Sequence, residues 1–329
     1  MEKWNTPKKP RIGIYTMGLK AYWNQFPGLR ERLLHYGQFI AEKIAEMDAE
    51  VFFYGLADCE EAGESCGEFF NAKNVDLIFA HAGTYVNSSS ILPIHQICKA
   101  PVIILNLQPT ARIAYDRTTT GEWLAHCGAC PVPELSNAFH RSGISCRIIN
   151  GLLGLDHTPD ISLTDENTAA RPEAVRAWKE ISEWVKAASV KRELSGCRFG
   201  FLGNTYNGML DMYSDFTMVQ AQTGAHIEIL EMCDLDRMLR QVTEDEVEKK
   251  KAEIREFFLI SDDKAADPLA QRPTEEQLDW SARVAAAQER LVREYRLDAL
   301  TYYYHGAPGG AYEKLQSGFI VGHSLLTAR

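Results

Sequence analysis

The chain has 329 residues, a formal net charge of −10 and a hydrophobic content of 45%. Nucleic acids and anionic membranes bind basic surfaces, so this acidic chain is expected to bind neither. It is long enough to bury two hydrophobic cores, and no apolar run approaches the ~18 residues of a membrane helix. We therefore expect a cytoplasmic protein of two domains whose partner is a small molecule.

A strand followed by a glycine turn occurs twice. Residues 11–18 read RIGIYTMG and residues 198–204 read RFGFLGN, and a long amphipathic stretch follows each phrase. Open parallel sheets bind small polar ligands at the carboxyl ends of their strands. The fold class predicted is α/β, with two tandem open Rossmann-like parallel sheets covered by helices, and the loops 19–26 and 204–211 are the expected ligand-binding segments.

The first half of the chain alternates between predicted strands and helices, which is typical of a parallel sheet covered on both faces. Strands are predicted at 11–18, 51–56, 75–80, 101–107 and 146–153, and helices at 28–47, 62–72, 89–98 and within 118–142. A polar stretch rich in Thr, Asp and Pro follows at 156–171. It predicts a boundary between a first domain, 1–165, and a second, 166–329.

The second half has fewer and longer elements. A helix is predicted at 174–193, strands at 197–202, 226–231 and 298–304, and charged helices at 244–259 and 274–296. The last predicted helix, 318–329, has no glycine cap and no polar tail after it. The chain is therefore expected to be the front part of a longer protein.

Cys127 and Cys130 form a CxxC motif directly after His126. A zinc site normally needs a second pair of ligands, and a thioredoxin-like site needs the motif at a strand-to-helix turn. The preferred interpretation is that these are ordinary thiols, kept reduced in the cytoplasm. The strand-loop units contain neither GxGxxG nor GxxxxGK[ST], so nucleotide binding is not supported.

Aromatic and amide side chains are concentrated at the predicted strand ends. Tyr22 and Trp23 lie in the first loop, Asn204 and Tyr206 lie in the second, and Gln108 follows the fourth strand. Rings pack against the C–H faces of sugars, and amides bond to their hydroxyl groups. A sugar or a polyol is the predicted ligand, although each amide taken singly is equally well explained as a turn or cap residue.

The segment 300–313, LTYYYHGAPGGAYE, combines three tyrosines, His305, a glycine-rich loop and Glu313. Glu313 has two interpretations of equal weight. It caps the helix that follows, or it is a ligand of a divalent cation at the carboxyl end of a strand.

Three phrases resemble the L-arabinose isomerase and L-fucose isomerase superfamily, and more closely its arabinose isomerase-like branch. They are RFGFLGNTYNGMLDMYSDF at 198–216, the tyrosine-rich segment that ends at Glu313, and GFIVGHSLLTAR at 318–329. These enzymes interconvert aldoses and ketoses by proton transfer between adjacent carbons, with a divalent metal, usually manganese, held by two glutamates and two histidines. The resemblance implies a metal-dependent aldose-ketose isomerase in which Glu313 is both catalytic residue and metal ligand.

The resemblance also implies that the second glutamate, both metal-binding histidines and the third, C-terminal domain are absent from this chain. It implies a homo-oligomer, a trimer or a hexamer, in which the first loop of one subunit reaches the site of the next. The residues that it places in substrate contact, together with those predicted from the strand ends, are Lys20, Tyr22, Trp23, Gln108, Asn204, Tyr206, Met209 and His305.

A non-catalytic sugar-binding protein is the alternative, because two α/β domains around a cleft also describe binding proteins of the periplasmic type. The resemblance at 198–216 and the lack of an apolar signal segment favour the isomerase. A stop codon directly after Arg329 in the gene would exclude the family mechanism, since the remaining metal ligands would be missing.

Overall fold

The structure is a computed structural model that describes residues 8–160, 162–163, 167–203, 208–263, 266–269, 271–303, 308–310 and 312–328. The chain divides after Arg192 into two compact units. Each unit has a parallel sheet with helices packed against it. The predicted fold class is therefore confirmed.

The sheet of the first unit has five parallel strands in the order β2-β1-β3-β4-β5. The strands are β1 (Arg11–Met17), β2 (Glu50–Ala57), β3 (Leu77–His81), β4 (Val102–Gln108) and β5 (Cys146–Leu152). Because β1 lies between β2 and β3, the strand order reverses there and creates a topological switch point. Ligands of such sheets bind outside the carboxyl ends of the strands, so this edge of the sheet is the place to look for a site.

The described residues of the first unit form six α-helices around this sheet. They are α1 (Leu29–Ala45), α2 (Glu60–Ala72), α3 (Ser88–Ile97), α4 (Thr120–Leu124), α5 (Pro131–Arg141) and α6 (Pro172–Leu194). Two apolar clusters cover its two faces. One joins Ile14 and Phe79 to α1 and α6, and the other joins Tyr15 and Ile104 to α2, α3 and α5. Burial on both faces explains why these strands are apolar almost throughout.

The division between the two units comes later in the chain than the predicted boundary at residue 165. Helix α6, which the sequence assigned to the second domain, belongs to the first. Its buried side chains, among them Trp178 and Ile181, join the core on the α1 face of the sheet. The indole nitrogen of Trp178 also donates a hydrogen bond to the carbonyl oxygen of Leu153, at 2.8 Å. The polar stretch at 156–171 is thus a connection within one unit.

The sheet of the second unit is parallel, in the order β7-β6-β8. Its strands are β6 (Arg198–Leu202), β7 (His226–Leu230) and β8 (Ala299–Tyr302), and its helices are α7 (Phe216–Thr223), α8 (Met232–Leu239), α9 (Glu244–Phe257), α10 (Glu275–Tyr295), α11 (Glu313–Ser317) and α12 (Phe319–Thr327). Leu202 and Leu230 pack with apolar side chains of α8, α9, α10 and α12. Across the described residues, no helix is long and apolar enough to span a membrane.

Candidate functional site

The loop after β1 contains three of the predicted contact residues. Lys20 and Tyr22 begin and end a single 3-10 turn, and Lys20 is exposed. The ring of Tyr22 meets Phe26 edge-on, with ring centroids 5.8 Å apart. The indole nitrogen of Trp23 donates a hydrogen bond to Oδ2 of Asp58, at 2.6 Å. Trp23 thus uses its polar atom within the fold.

Gln108 ends β4 and belongs to a row of amides. Its Nε2 donates to Oδ1 of Asn106 at 3.1 Å, and Nδ2 of Asn106 donates to Oδ1 of Asn150 at 2.7 Å. Asn106 and Asn150 are neighbours in the paired strands β4 and β5. The three amides bond to one another at the carboxyl edge of the sheet.

The remaining predicted site residues belong to the second unit. Asn204, Tyr206 and His305 lie outside the described residues. Met209 is exposed and precedes a 3-10 turn. Glu313 is the first residue of α11, and its Oε2 accepts a hydrogen bond from the backbone N–H of Gly309, at 2.7 Å. In the part of the chain that the structure describes, no three His, Cys, Asp or Glu side chains form a group suited to a metal ion.

A cavity of about 360 Å³ opens at the carboxyl edge of the first sheet. Three segments form its wall: the end of the loop after β1, the start of α1, and the turn that begins α4 after β4. The lining residues are Gln25, Phe26, Pro27, Gly28, Leu29, Arg32, Thr119, Thr120, Gly121 and Glu122. Cavities of roughly 300–1,000 Å³ hold small molecules in proteins, so this one is large enough for such a ligand. We call the cavity formed by these residues the edge cavity.

Local sequence fixes both sides of the edge cavity. Gly28 has a φ of 85°, a left-handed conformation that glycine adopts without strain, and α1 begins directly after it. On the other side, Thr119 and Glu122 form a capping box at the start of α4. Oε2 of Glu122 accepts hydrogen bonds from the backbone N–H and the hydroxyl of Thr119, both at 2.8 Å.

The charges of the edge cavity come from Glu122 and Arg32. The hydrogen bond from the Thr119 backbone is the main cause that lowers the pKa of Glu122, and the positive charge of Arg32 lowers it further. Glu122 is therefore ionised at neutral pH. Nη1 of Arg32 is buried and, among the described residues, has no hydrogen-bond partner. A buried donor left in this state is costly, and the side chain that carries it is one of those that line the edge cavity.

The edge cavity therefore offers three kinds of contact. Arg32 donates hydrogen bonds and Glu122 accepts them, while the amide of Gln25 and the hydroxyl of Thr120 can do both. The ring of Phe26 offers an apolar face. The predicted segment 19–26 contains Gln25 and Phe26, but Arg32, Thr120 and Glu122 were not predicted. The Thr119-to-Glu122 spacing was a readable sign of a helix start, whereas nothing in the sequence showed that α1 and α4 meet.

The comparisons with known proteins found no protein-family model and no curated protein that matches the chain. Solved structures with weak likeness include a periplasmic solute-binding protein from Actinobacillus succinogenes 130z with bound D-allose, at 12% identity, 96% coverage of this chain, 90% of that chain and a TM-score of 0.24. A substrate-binding protein with adhesive properties from Clostridium difficile has 10% identity, coverages of 97% and 84% and a TM-score of 0.22. The XylFII molecule has 10% identity, coverages of 97% and 94% and a TM-score of 0.19. At such scores these structures do not establish what the chain binds.

The expected membership of the isomerase superfamily is wrong, because no family model and no curated protein of such an enzyme matches the chain. The expected aldose-ketose isomerase activity is therefore also wrong, and the expectation of a manganese ion loses the resemblance on which it rested. The roles of Glu313 as catalytic base and metal ligand, and the trimer or hexamer, depended on the same resemblance and lose that support. The hydrogen bond from Gly309 ties the carboxylate of Glu313 to the preceding loop, and the start of α11 has no side-chain cap, so neither interpretation of Glu313 is supported.

Proposed function

We propose that this chain is a non-catalytic binding protein for a small uncharged sugar or polyol, and that the edge cavity holds this ligand. The observation that carries the proposal is the wall of the edge cavity, which combines the guanidinium of Arg32, the ionised carboxylate of Glu122 and the ring of Phe26. The predicted location in the cytoplasm remains a prediction.

The charge balance of the edge cavity favours an uncharged ligand. Arg32 supplies one positive charge and Glu122 one negative charge, and each is within electrostatic reach of the other, since Arg32 lowers the pKa of Glu122. An anion would be attracted by the guanidinium but repelled by the carboxylate. The vicinal hydroxyl groups of a sugar can accept from Arg32 and donate to Glu122 at the same time, which satisfies both.

The apolar part of the edge cavity fits the same ligand class. Phe26 is partly buried and packs against the core of the first sheet, so its ring is held in place. A sugar presents C–H groups on one face and hydroxyl groups around its rim. Stacking on a fixed ring beside a few polar groups is how small-molecule sites combine affinity with orientation.

The test is a binding screen on the purified chain over pentoses, hexoses, 6-deoxyhexoses and their alditols. Thermal unfolding gives a first reading, because a ligand at 100 times its Kd stabilises a protein by about 2.7 kcal/mol. Calorimetry on each positive sugar then gives Kd, and NMR of the recovered sugar shows whether it is chemically unchanged. We expect binding without conversion.

Arg32→Met tests the cavity itself, because methionine keeps much of the aliphatic stem and removes every donor. Loss of a hydrogen-bonding partner in a buried site costs about 1–3 kcal/mol, so Kd should rise roughly 5- to 150-fold. Arg30→Met is the matched control, since Arg30 is exposed on the same helix and is not part of the edge cavity. Equal affinities of the wild type and Arg32→Met would show that the sugar does not bind in the edge cavity. Conversion of a bound sugar would overturn the non-catalytic assignment.

A further inference from the structure

Cys127 and Cys130 are joined by a disulfide, contrary to the expectation of reduced thiols. Their Cα atoms are 5.6 Å apart, which is an ordinary separation for a bonded pair. The pair lies on a 3-10 turn that leads directly into α5, with Cys130 at the N-cap and Pro131 as the first helical residue. A CxxC motif at the start of a helix is the setting that favours redox chemistry, because the helix N-terminus stabilises a thiolate.

We propose that Cys127 and Cys130 form a reversible thiol-disulfide exchange site whose reaction partner is a dithiol. The two sulfurs have different environments, which assigns their roles. Cys130 is exposed, whereas Cys127 is 6% exposed and belongs to the buried residues of the first unit. Sγ of Cys130 is therefore the atom that an incoming thiolate attacks, and Cys127 is the resolving residue.

The exchange is balanced with the dithiol as the only co-reactant. One thiolate of the dithiol attacks Sγ of Cys130, the bond between Cys127 and Cys130 breaks, and Sγ of Cys127 takes the electron pair and a proton. The second thiol of the dithiol then attacks the first sulfur of the dithiol, which is bonded to Sγ of Cys130 in the mixed disulfide. This step releases Cys130 as a thiolate. The dithiol is oxidised by two electrons to a disulfide, and the protein pair is reduced by two.

The turn keeps its shape by contacts that do not depend on the sulfur-sulfur bond. The backbone N–H of Cys130 donates to the carbonyl oxygen of Cys127 at 3.2 Å. Gly128 lies so close to the end of β3 that a side-chain Cβ would collide with the carbonyl oxygen of Ala82. Packing therefore holds the two cysteines near each other when the bond is open, as a reversible pair requires.

A purely stabilising role fits the pair less well. The cross-link encloses two intervening residues, and so short a loop restricts the unfolded chain least. Two other cysteines show what inert thiols look like in this chain. Cys66 and Cys98 are buried, and burial raises the pKa of both thiols, which disfavours the reactive thiolate.

The first measurement uses the wild-type chain. The protein is equilibrated in mixtures of oxidised and reduced dithiothreitol at pH 7, alkylated with a maleimide and analysed by peptide mass spectrometry, with circular dichroism as the check on folding. We expect one two-electron transition in which Cys127 and Cys130 become alkylated together while the chain stays folded. A pair that opens only on unfolding, or that is alkylated in every mixture, would overturn the proposal.

Single variants test the assigned roles. In Cys127→Ser the free Cys130 should react with 5,5′-dithiobis(2-nitrobenzoate) at least about fivefold faster than the free Cys127 in Cys130→Ser, because exposure and the helix N-terminus favour its thiolate. Cys233→Ser is the control, since Cys233 is exposed on the second unit and its loss should leave the transition unchanged. A faster reaction at Cys127 would reverse the assignment and contradict the proposal. None of these readings depends on sugar binding.

Discussion

Trp23 shows how one side chain can serve the fold where the sequence predicted ligand contact. Its indole nitrogen donates to Asp58, and its ring fills the space beside Gly18, where a Cβ would be 2.8 Å from the ring. The hydrogen bond ties the loop after β1 to the end of β2. Trp23 thus positions the neighbouring residues of the edge cavity through the loop that they share.

We expect Trp23→Phe to lower the free energy of unfolding by about 1.5–3 kcal/mol, because it removes a hydrogen bond to a charged group in a partly buried site. Urea unfolding of Trp23→Phe, Asp58→Asn and the double variant measures the coupling between the two side chains. Strict additivity of the two single effects would show that the hydrogen bond contributes nothing.

Two buried histidines make the first unit sensitive to acid. Nδ1 of His81 lies 3.2 Å from Oγ1 of Thr16, and Nε2 of His95 lies 3.1 Å from the hydroxyl of Tyr15. Burial lowers the pKa of each histidine to about 3, whereas a histidine in an unfolded chain titrates near ~6.5. Between pH ~6.5 and 3 the two histidines are therefore protonated in the unfolded state but neutral in the folded state.

Stability should be constant above pH ~6.5 and fall as the pH decreases from there towards 3, by up to ~1.4 kcal/mol per pH unit for each histidine. Denaturant titrations between pH 7 and pH 4.5 measure the slope. His81→Gln and His95→Gln should each reduce this slope by the contribution of about one proton. If stability depended on pH equally steeply in His81→Gln and in the wild type, His81 would not be a cause of the acid sensitivity.

Helices α2 and α3 illustrate packing at the scale of whole elements. Gly63 and Gly67 lie on the face of α2 that meets α3, and a Cβ at Gly63 would collide with the carbonyl oxygen of Ser90. Because that oxygen is part of the backbone, it cannot turn away as a side chain could. The close approach of the two helices therefore requires glycine at this position.

Gly63→Ala should destabilise the chain by about 1–3 kcal/mol, as overpacking does, although alanine is favoured over glycine in a helix by about 1 kcal/mol. Glu64→Ala, at an exposed position of the same helix, should change stability by less than about 0.5 kcal/mol. Thermal unfolding of both variants gives the comparison. A stabilised Gly63→Ala would show that the helices can move apart at little cost.

Short apolar runs bounded by turn residues predicted β1 to β8, and apolar residues that repeat over many positions predicted the long helices. The sequence pattern missed α7 and α8, which have eight residues each, since so short a helix gives little periodic signal. The edge cavity was only half predicted for a different reason. Gln25 and Phe26 lie in the loop after β1, where ligand contacts were expected, whereas Arg32 and Glu122 come together through the packing of α1 near α4, which no local pattern encodes.

The division of the molecule after Arg192 rests on where α6 buries its apolar side chains. Trp178, Ile181 and Val185 are buried in the core of the first sheet. Burial of three such side chains stabilises a fold by roughly 5–9 kcal/mol, which is comparable to the whole stability of a typical domain. A first unit that ended at the polar stretch would therefore lose most of its free energy of unfolding.

We expect residues 8–192 expressed alone to unfold cooperatively and to bind the same sugar as the full chain, because the edge cavity lies entirely within them. Residues 8–165 should instead show no cooperative transition, since α6 is missing and the face of the sheet that it shares with α1 is only partly covered. Circular dichroism during heating compares the two fragments, and calorimetry on residues 8–192 measures ligand binding. Cooperative unfolding of residues 8–165 at the temperature of the longer fragment would place the end of the first unit before α6.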